Sequence, residues 1–118
     1  MPLDDFWTSS LSGNWHCQYG NYAMVNFVPS GGGYLIKAFT KVVIGSSRFW
    51  LAPGIVLGDL RHSGGKFYEG QHSMYSPATG AFARWSKMSL TLEMGGRRLS
   101  GSIYDQQGVH MITFERVP

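Results

Sequence analysis

Apolar and polar residues alternate along most of this chain with a period of two, the spacing of strands that bury one face. Trp15, Cys17 and Tyr19 alternate with Asn14, His16 and Gln18. Tyr34, Ile36, Ala38, Thr40, Val42 and Ile44 share one side of a long predicted strand, with Lys37 and Lys41 on the other. Excluding lysine from one face places Ile36, Val42 and Ile44 inward. Met88, Leu90, Leu92 and Met94 repeat the pattern against Ser89, Thr91 and Glu93. The last segment is ambiguous, because His110, Ile112, Phe114 and Arg116 oppose an equally mixed Val109, Met111, Thr113 and Glu115.

Glycine, proline and Asx residues punctuate these segments at Gly20-Asn21, 29–33, 45–47, Pro53-Gly54, 62–65, 76–80, Gly95-Gly96 and 105–108. Glycine supplies the positive φ that tight hairpins require. Closely spaced turns without a long helical pattern predict an all-β fold, a single antiparallel β-barrel of about eight strands. Gly13-Asn14-Trp15 at the start and Phe114-Glu115-Arg116 at the end imply that the first and last strands meet. Residues 2–12 differ. Asp4 and Asp5 precede Leu3, Phe6 or Trp7, and Leu11 at helical spacing, which predicts a short helical plug for one barrel end. A loose arm with its aromatics packed outside is the other reading.

Composition bounds the picture. A chain of 118 residues, 43% hydrophobic and with 16 glycines, suits one ordered, turn-rich domain spanning 1–118. The net charge of +3 is too small an excess to imply nucleic acid, so no nucleic-acid partner is expected. Lys37, Lys41, Arg97 and Arg98 with neighbouring tyrosines contain the ingredients of an oligonucleotide-binding barrel, but Arg97-Arg98 after Gly95-Gly96 reads more simply as a solvated hairpin tip. No apolar run approaches a membrane span, and no membrane partner is expected. Met1-Pro2-Leu3-Asp4-Asp5 lacks the basic start and apolar core of a signal peptide. A cytoplasmic location is therefore expected if residue 1 is the native start, and an exported one otherwise.

Candidate chemistry is sparse. Cys17 is the single cysteine, so no internal disulfide forms, and His16 beside it points to the opposite face, against a Cys–His pair. His16, His62, His72 and His110 show no metal-ligand spacing, and neither metal nor cofactor is expected. His62 reads as a turn residue, His72 and His110 as pocket-lining groups. Asp59 and Glu69 straddle the 62–65 turn, where they form either an acid pair or cross-strand pairs with Arg61 or Lys66. Gly31-Gly32-Gly33 lacks a following Lys-Ser/Thr and reads as a turn, not a phosphate cradle. Aromatic and methionine residues are spread over many strands, and a barrel can bring them to one cavity or use them as filling.

Gly13-x-Trp15 resembles the first-strand motif of the calycins, the lipocalin- and avidin-like barrels, and Arg116 matches the arginine that those barrels pack across that tryptophan. Gly54-Ile55-Val56-Leu57, Tyr75-Ser76-Pro77-Ala78-Thr79-Gly80, Leu99-Ser100-Gly101 and Phe114-Glu115-Arg116-Val117 are similar to runs in a family of small bacterial lipocalin-like proteins of unknown function. The resemblance implies a barrel closed by Trp15 and Arg116 and no activity. Three functions follow as expectations. The first is a non-enzymatic module holding a small hydrophobic or aromatic molecule in the barrel mouth, lined by Trp15, Tyr34, Trp50, Tyr68 and Trp85. The second is an interaction protein with a solid barrel and an exposed aromatic surface, for example a homodimer. The third is a small enzyme using His72 or His110 with Asp59 or Glu69, which requires those groups to converge in one cleft.

Overall fold

The computed structural model describes residues 11–17, 24–44, 48–105 and 108–117. Ten strands follow in order: β1 (Gly13–Cys17), β2 (Met24–Ser30), β3 (Gly33–Ala38), β4 (Val42–Val43), β5 (Trp50–Leu51), β6 (Val56–Gly64), β7 (Phe67–Tyr75), β8 (Phe82–Glu93), β9 (Arg98–Asp105) and β10 (Gly108–Arg116). Eight of them close into an antiparallel barrel ordered β1-β10-β9-β8-β7-β6-β3-β2, while β4 and β5 form a separate two-stranded sheet. Closure is direct. Trp15 pairs with Arg116 on β10 and with Val25 on β2, so the first strand joins both sides of the sheet.

Turn chemistry sets the two ends. Gly31 and Gly32 both have positive φ (55° and 82°) in the two-residue link where Ser30 pairs with Gly33, the backbone that a tight hairpin demands. This tip, the β6–β7 turn and the β8–β9 turn lie at one end, here the Trp15 end. The connections 39–55, 76–81 and the β9–β10 tip lie at the far end.

The barrel's middle is filled by side chains. Trp15, Phe27, Leu60, Tyr68, Leu90, Leu99, Ile112 and Phe114 are all buried in one cluster. Trp15 and Phe27 rings sit 5.4 Å apart, and Phe27 meets Phe114 edge-on at 5.5 Å, the geometry favoured by aromatic quadrupoles. Glycines at two inward positions let neighbouring strands approach closely. A Cβ on Gly70 would fall on the Asp59 carbonyl oxygen, and one on Gly101 on that of Ser89.

Two sequence expectations need correction, and one open reading is resolved. The long strand 34–44 is broken: at Ala38 the chain exchanges hydrogen bonds with Gly54 and Ile55, then leaves the barrel so that Val42–Val43 pair with Trp50–Leu51. Val42 and Ile44 stay buried, which is why the alternation ran on through the break. Met94 is exposed, because β8 ends at Glu93 and Met94 takes a φ of 55° into a 3-10 turn. The ambiguous last strand turns Ile112 and Phe114 inward. The predicted plug over 2–12 falls mostly outside the described residues. Its last apolar position, Leu11, is fully buried.

Candidate functional site

Arg116 and Trp15 build the floor of the Trp15 end. The Arg116 guanidinium lies 4.4 Å from the centre of the Trp15 ring. Its Nε donates to the Gly96 carbonyl and one terminal nitrogen to the Ser12 carbonyl, both at 3.1 Å. The Trp15 Nε1–H donates to the Leu11 carbonyl at 2.8 Å, and the Leu11 N–H donates to the Tyr34 hydroxyl at 3.0 Å. One cation therefore ties the first strand, the last strand and the β8–β9 turn together, and Tyr34 joins β3 to the same knot. Burial lowers the Arg116 pKa, an effect partly countered by nearby Tyr34. Burial also raises the Tyr68 pKa, with Tyr34 adding to the shift.

Beside this knot, a recess of 520 Å³ opens between the β2–β3 and β6–β7 hairpins. Its walls are the Pro29–Gly33 hairpin on one side and Tyr34, His62 and Tyr68 on the other. Gly31 and Gly32 carry no side chain into open space, so a guest can approach the backbone itself. The His62 ring tilts against Tyr68 at a 5.2 Å centroid distance. His62 Nε2 lies 2.6 Å from the Gly65 carbonyl. A carbonyl only accepts, so Nε2 carries the proton and Nδ1 is the acceptor of the neutral ring. The recess thus offers a flat aromatic wall, a histidine edge and exposed backbone, a combination suited to a small planar guest.

The five proposed lining residues divide. Tyr34 and Tyr68 meet at the recess, and Trp15 is buried in the packed core below it. Trp50 and Trp85 do not join them. Trp50 is 54% exposed on β5 under the Lys41 ammonium, and Trp85 is 43% exposed on the outer face of β8, both toward the far end. Trp50 is carried off by the exit of the chain at Ala38, and Trp85 shares the outward parity of Ser89 and Glu93 along β8, so neither faces the interior. His62 was read only as a turn residue. The signal was present, since Gly58, Leu60 and His62 fall on one parity and so on the inward face of β6.

The His–carboxylate arrangement of the enzyme reading is not assembled. Asp59 pairs with Gln71, whose amide donates to it at 3.2 Å, and Glu69 pairs with Arg61, all on the outer face of the β6–β7 hairpin. These side chains with Lys87 line a shallow polar depression of 390 Å³. His72 lies on the opposite, inner face, buried, with Nε2 donating to the Tyr104 carbonyl at 3.0 Å. That bond bridges a gap. β8 pairs with β7 as far as Phe82, but with β9 only as far as Met88–Ile103. His110 is half-buried on β10. Arg98 is not at a hairpin tip but on β9, paired to Glu115 at 3.1 Å. Cys17 is buried while His16 is exposed, so the two are not a catalytic pair. Among the described residues no three His, Cys, Asp or Glu side chains gather as a metal site.

The class these features define is an eight-strand closed antiparallel β-barrel, compatible with a calycin-like fold. Comparison of the chain with family profiles, curated proteins and solved structures finds no match.

Proposed function

We propose that this protein is a calycin-type, non-enzymatic binding module whose guest is a small aromatic molecule held at the Trp15 end. The likeness of its turn motifs to small bacterial lipocalin-like proteins agrees with such a barrel. The observation that carries the reading is the recess of 520 Å³ lined by Tyr34, His62, Tyr68 and the Gly31-Gly32 backbone, a size within the range of small-molecule sites. The site differs from the expected one. A filled barrel middle moves the guest from the interior to the hairpin tips, and Trp50 and Trp85 leave the lining.

Native mass spectrometry of the purified protein, set against its denatured mass, tests this. The expected result is extra mass in the native state that Ser30→Trp, which fills the recess from its rim, abolishes without lowering the melting temperature. Wild-type protein with an apo mass in both states, and with melting unmoved by a panel of phenols and aromatic acids, would overturn the proposal. A native mass of twice the monomer would move the reading to the homodimer.

A further inference from the structure

At the far end, exposed apolar side chains and cations share one surface. Phe39 and Trp50 project from the 39–55 connection, Phe82 and Trp85 from β8, and Tyr104 and Val109 from the β9–β10 hairpin, all exposed. Only Phe67 and Met94 among the large exposed apolar side chains of the described residues lie at the Trp15 end. The three far-end elements adjoin one another. Phe49 packs against Gly80 in the loop before β8, and the His72–Tyr104 bond ties β7 to β9. A register shift at Met74–Tyr75 brings Phe82 to the same side as Trp85, with their rings 5.4 Å apart.

The charge there is one-sided. Lys41 lies over the Trp50 ring and Arg48 over the Phe49 ring, each at 5.3 Å, and Arg84 precedes Trp85 on β8, whereas Lys87 lies at mid-barrel beside Asp59 and Glu69. Neither Lys41, Arg48 nor Arg84 makes a salt bridge among the described residues, where the one ion pair is Arg98–Glu115 at the other end. Glu69, Glu93 and Glu115 lie toward the Trp15 end and Asp59 at mid-barrel. Asp105, at the β9–β10 tip, is the acidic exception by position.

We propose that the far end docks peripherally on an anionic lipid bilayer, its aromatic tips entering the interface while Lys41, Arg48 and Arg84 meet headgroup phosphates. A cation held over an indole places charge and apolar surface at the same depth, as an interface between water and acyl chains requires. Such docking needs no spanning segment. A single-stranded nucleic acid would also use rings and cations, but Val109 (60% exposed) and Met111 (71%) offer no stacking face, whereas both suit acyl chains. This inference is independent of the recess, which lies at the opposite end.

The test is flotation of the full chain with phosphatidylcholine vesicles, with and without about one-third phosphatidylserine. Binding is expected only to the anionic vesicles, with a blue-shifted tryptophan emission, and is expected to vanish in 0.5 M salt. Each of Lys41→Gln and Arg84→Gln should weaken it about fivefold, from the usual contribution of one cation near an anionic surface. Trp50→Ser with Trp85→Ser, both on exposed positions, should abolish it, whereas Phe67→Ser at the other end should leave it unchanged. Absence of flotation, binding unaffected by the double tryptophan variant, or preference for a fluorescent oligothymidylate over anionic vesicles would each overturn the proposal.

Discussion

Arg116→Ala removes three interactions at once, and their sizes can be set out from the structure. The Nε bond to the Gly96 carbonyl is half-buried and charge-assisted, and is worth about 1.5 kcal/mol. The bond to the Ser12 carbonyl is exposed and contributes about 0.5 kcal/mol. A guanidinium 4.4 Å above the Trp15 ring, partly withdrawn from water, adds about 1 kcal/mol. The expected loss is about 3 kcal/mol, or about 12 °C in melting temperature at ~4 °C per kcal/mol for a domain this size. Arg116→Lys keeps a cation over the ring but cannot bond two carbonyls on divergent directions, so it should recover about half of that loss. A double-mutant cycle with Trp15→Leu, which removes the ring, should return a coupling of about 1 kcal/mol, because the ring and the cation act as a pair. Thermal unfolding followed by far-ultraviolet circular dichroism measures the four variants against wild type. Melting of Arg116→Ala within about 2 °C of wild type would refute the view that this arginine closes the barrel.

Three further outcomes follow from residues away from that pair. Burial raises the Tyr68 pKa, so the folded protein keeps the phenolic proton where the unfolded chain, titrating near 10, has lost it. That contribution is whole below about pH 10 and disappears as pH climbs through the folded value; urea melts from pH 8 to 11 should therefore slope less steeply in Tyr68→Phe than in wild type. Gly70→Ala and Gly101→Ala each drive a methyl onto a neighbouring strand's carbonyl oxygen, and each should destabilise by about 2 kcal/mol or more in the same melts. Cys17 is buried, so a thiol reagent such as dithionitrobenzoate should label it only at the rate of unfolding, and rapid labelling in native buffer would contradict the packing of β1.

The barrel was legible because its evidence is local and periodic. Strands, glycine turns and a tryptophan on the first strand facing an arginine on the last are all written in short windows, and Trp15↔Arg116 pairing is what those windows imply. What escaped was whatever depends on where strands point once closed. Val42 and Ile44 keep the parity of β3 and are buried, yet the chain there has left the barrel and Val42–Val43 pair in a second sheet, because burial rather than continuity is what alternation records. Trp50 and Trp85 carry the same side-chain chemistry as Trp15, but Trp50 lies beyond the exit of the chain at Ala38, and Trp85 shares the outward parity of Ser89 and Glu93 opposite Met88 and Leu90. His72 bonds a carbonyl two strands away, at a parting of β8 from β9 that no local pattern encodes.

The filling of the barrel also decides where chemistry can reside. Among the described residues Trp15, Phe27, Tyr68 and Phe114 are buried in one cluster, which favours binding at the two ends over the interior. Those ends are built differently. The Trp15 end is knitted by side-chain bonds to carbonyls and carries Tyr34, His62 and two bare glycines, so its geometry is held and its surface is concave. Rigid concave surfaces select guests by shape, since little ordering entropy remains to be lost on binding. At the far end, longer connections carry exposed rings and cations over a convex surface where β8 and β9 have already parted. A convex apolar and cationic surface gains most from a soft, extended partner that deforms around it, and a bilayer does so without demanding a matching shape. Ser30→Trp and the Trp50/Trp85 double variant should therefore act on separate properties, each leaving the other's readout intact. Cross-effects between them would show that the filled core transmits strain from one end to the other.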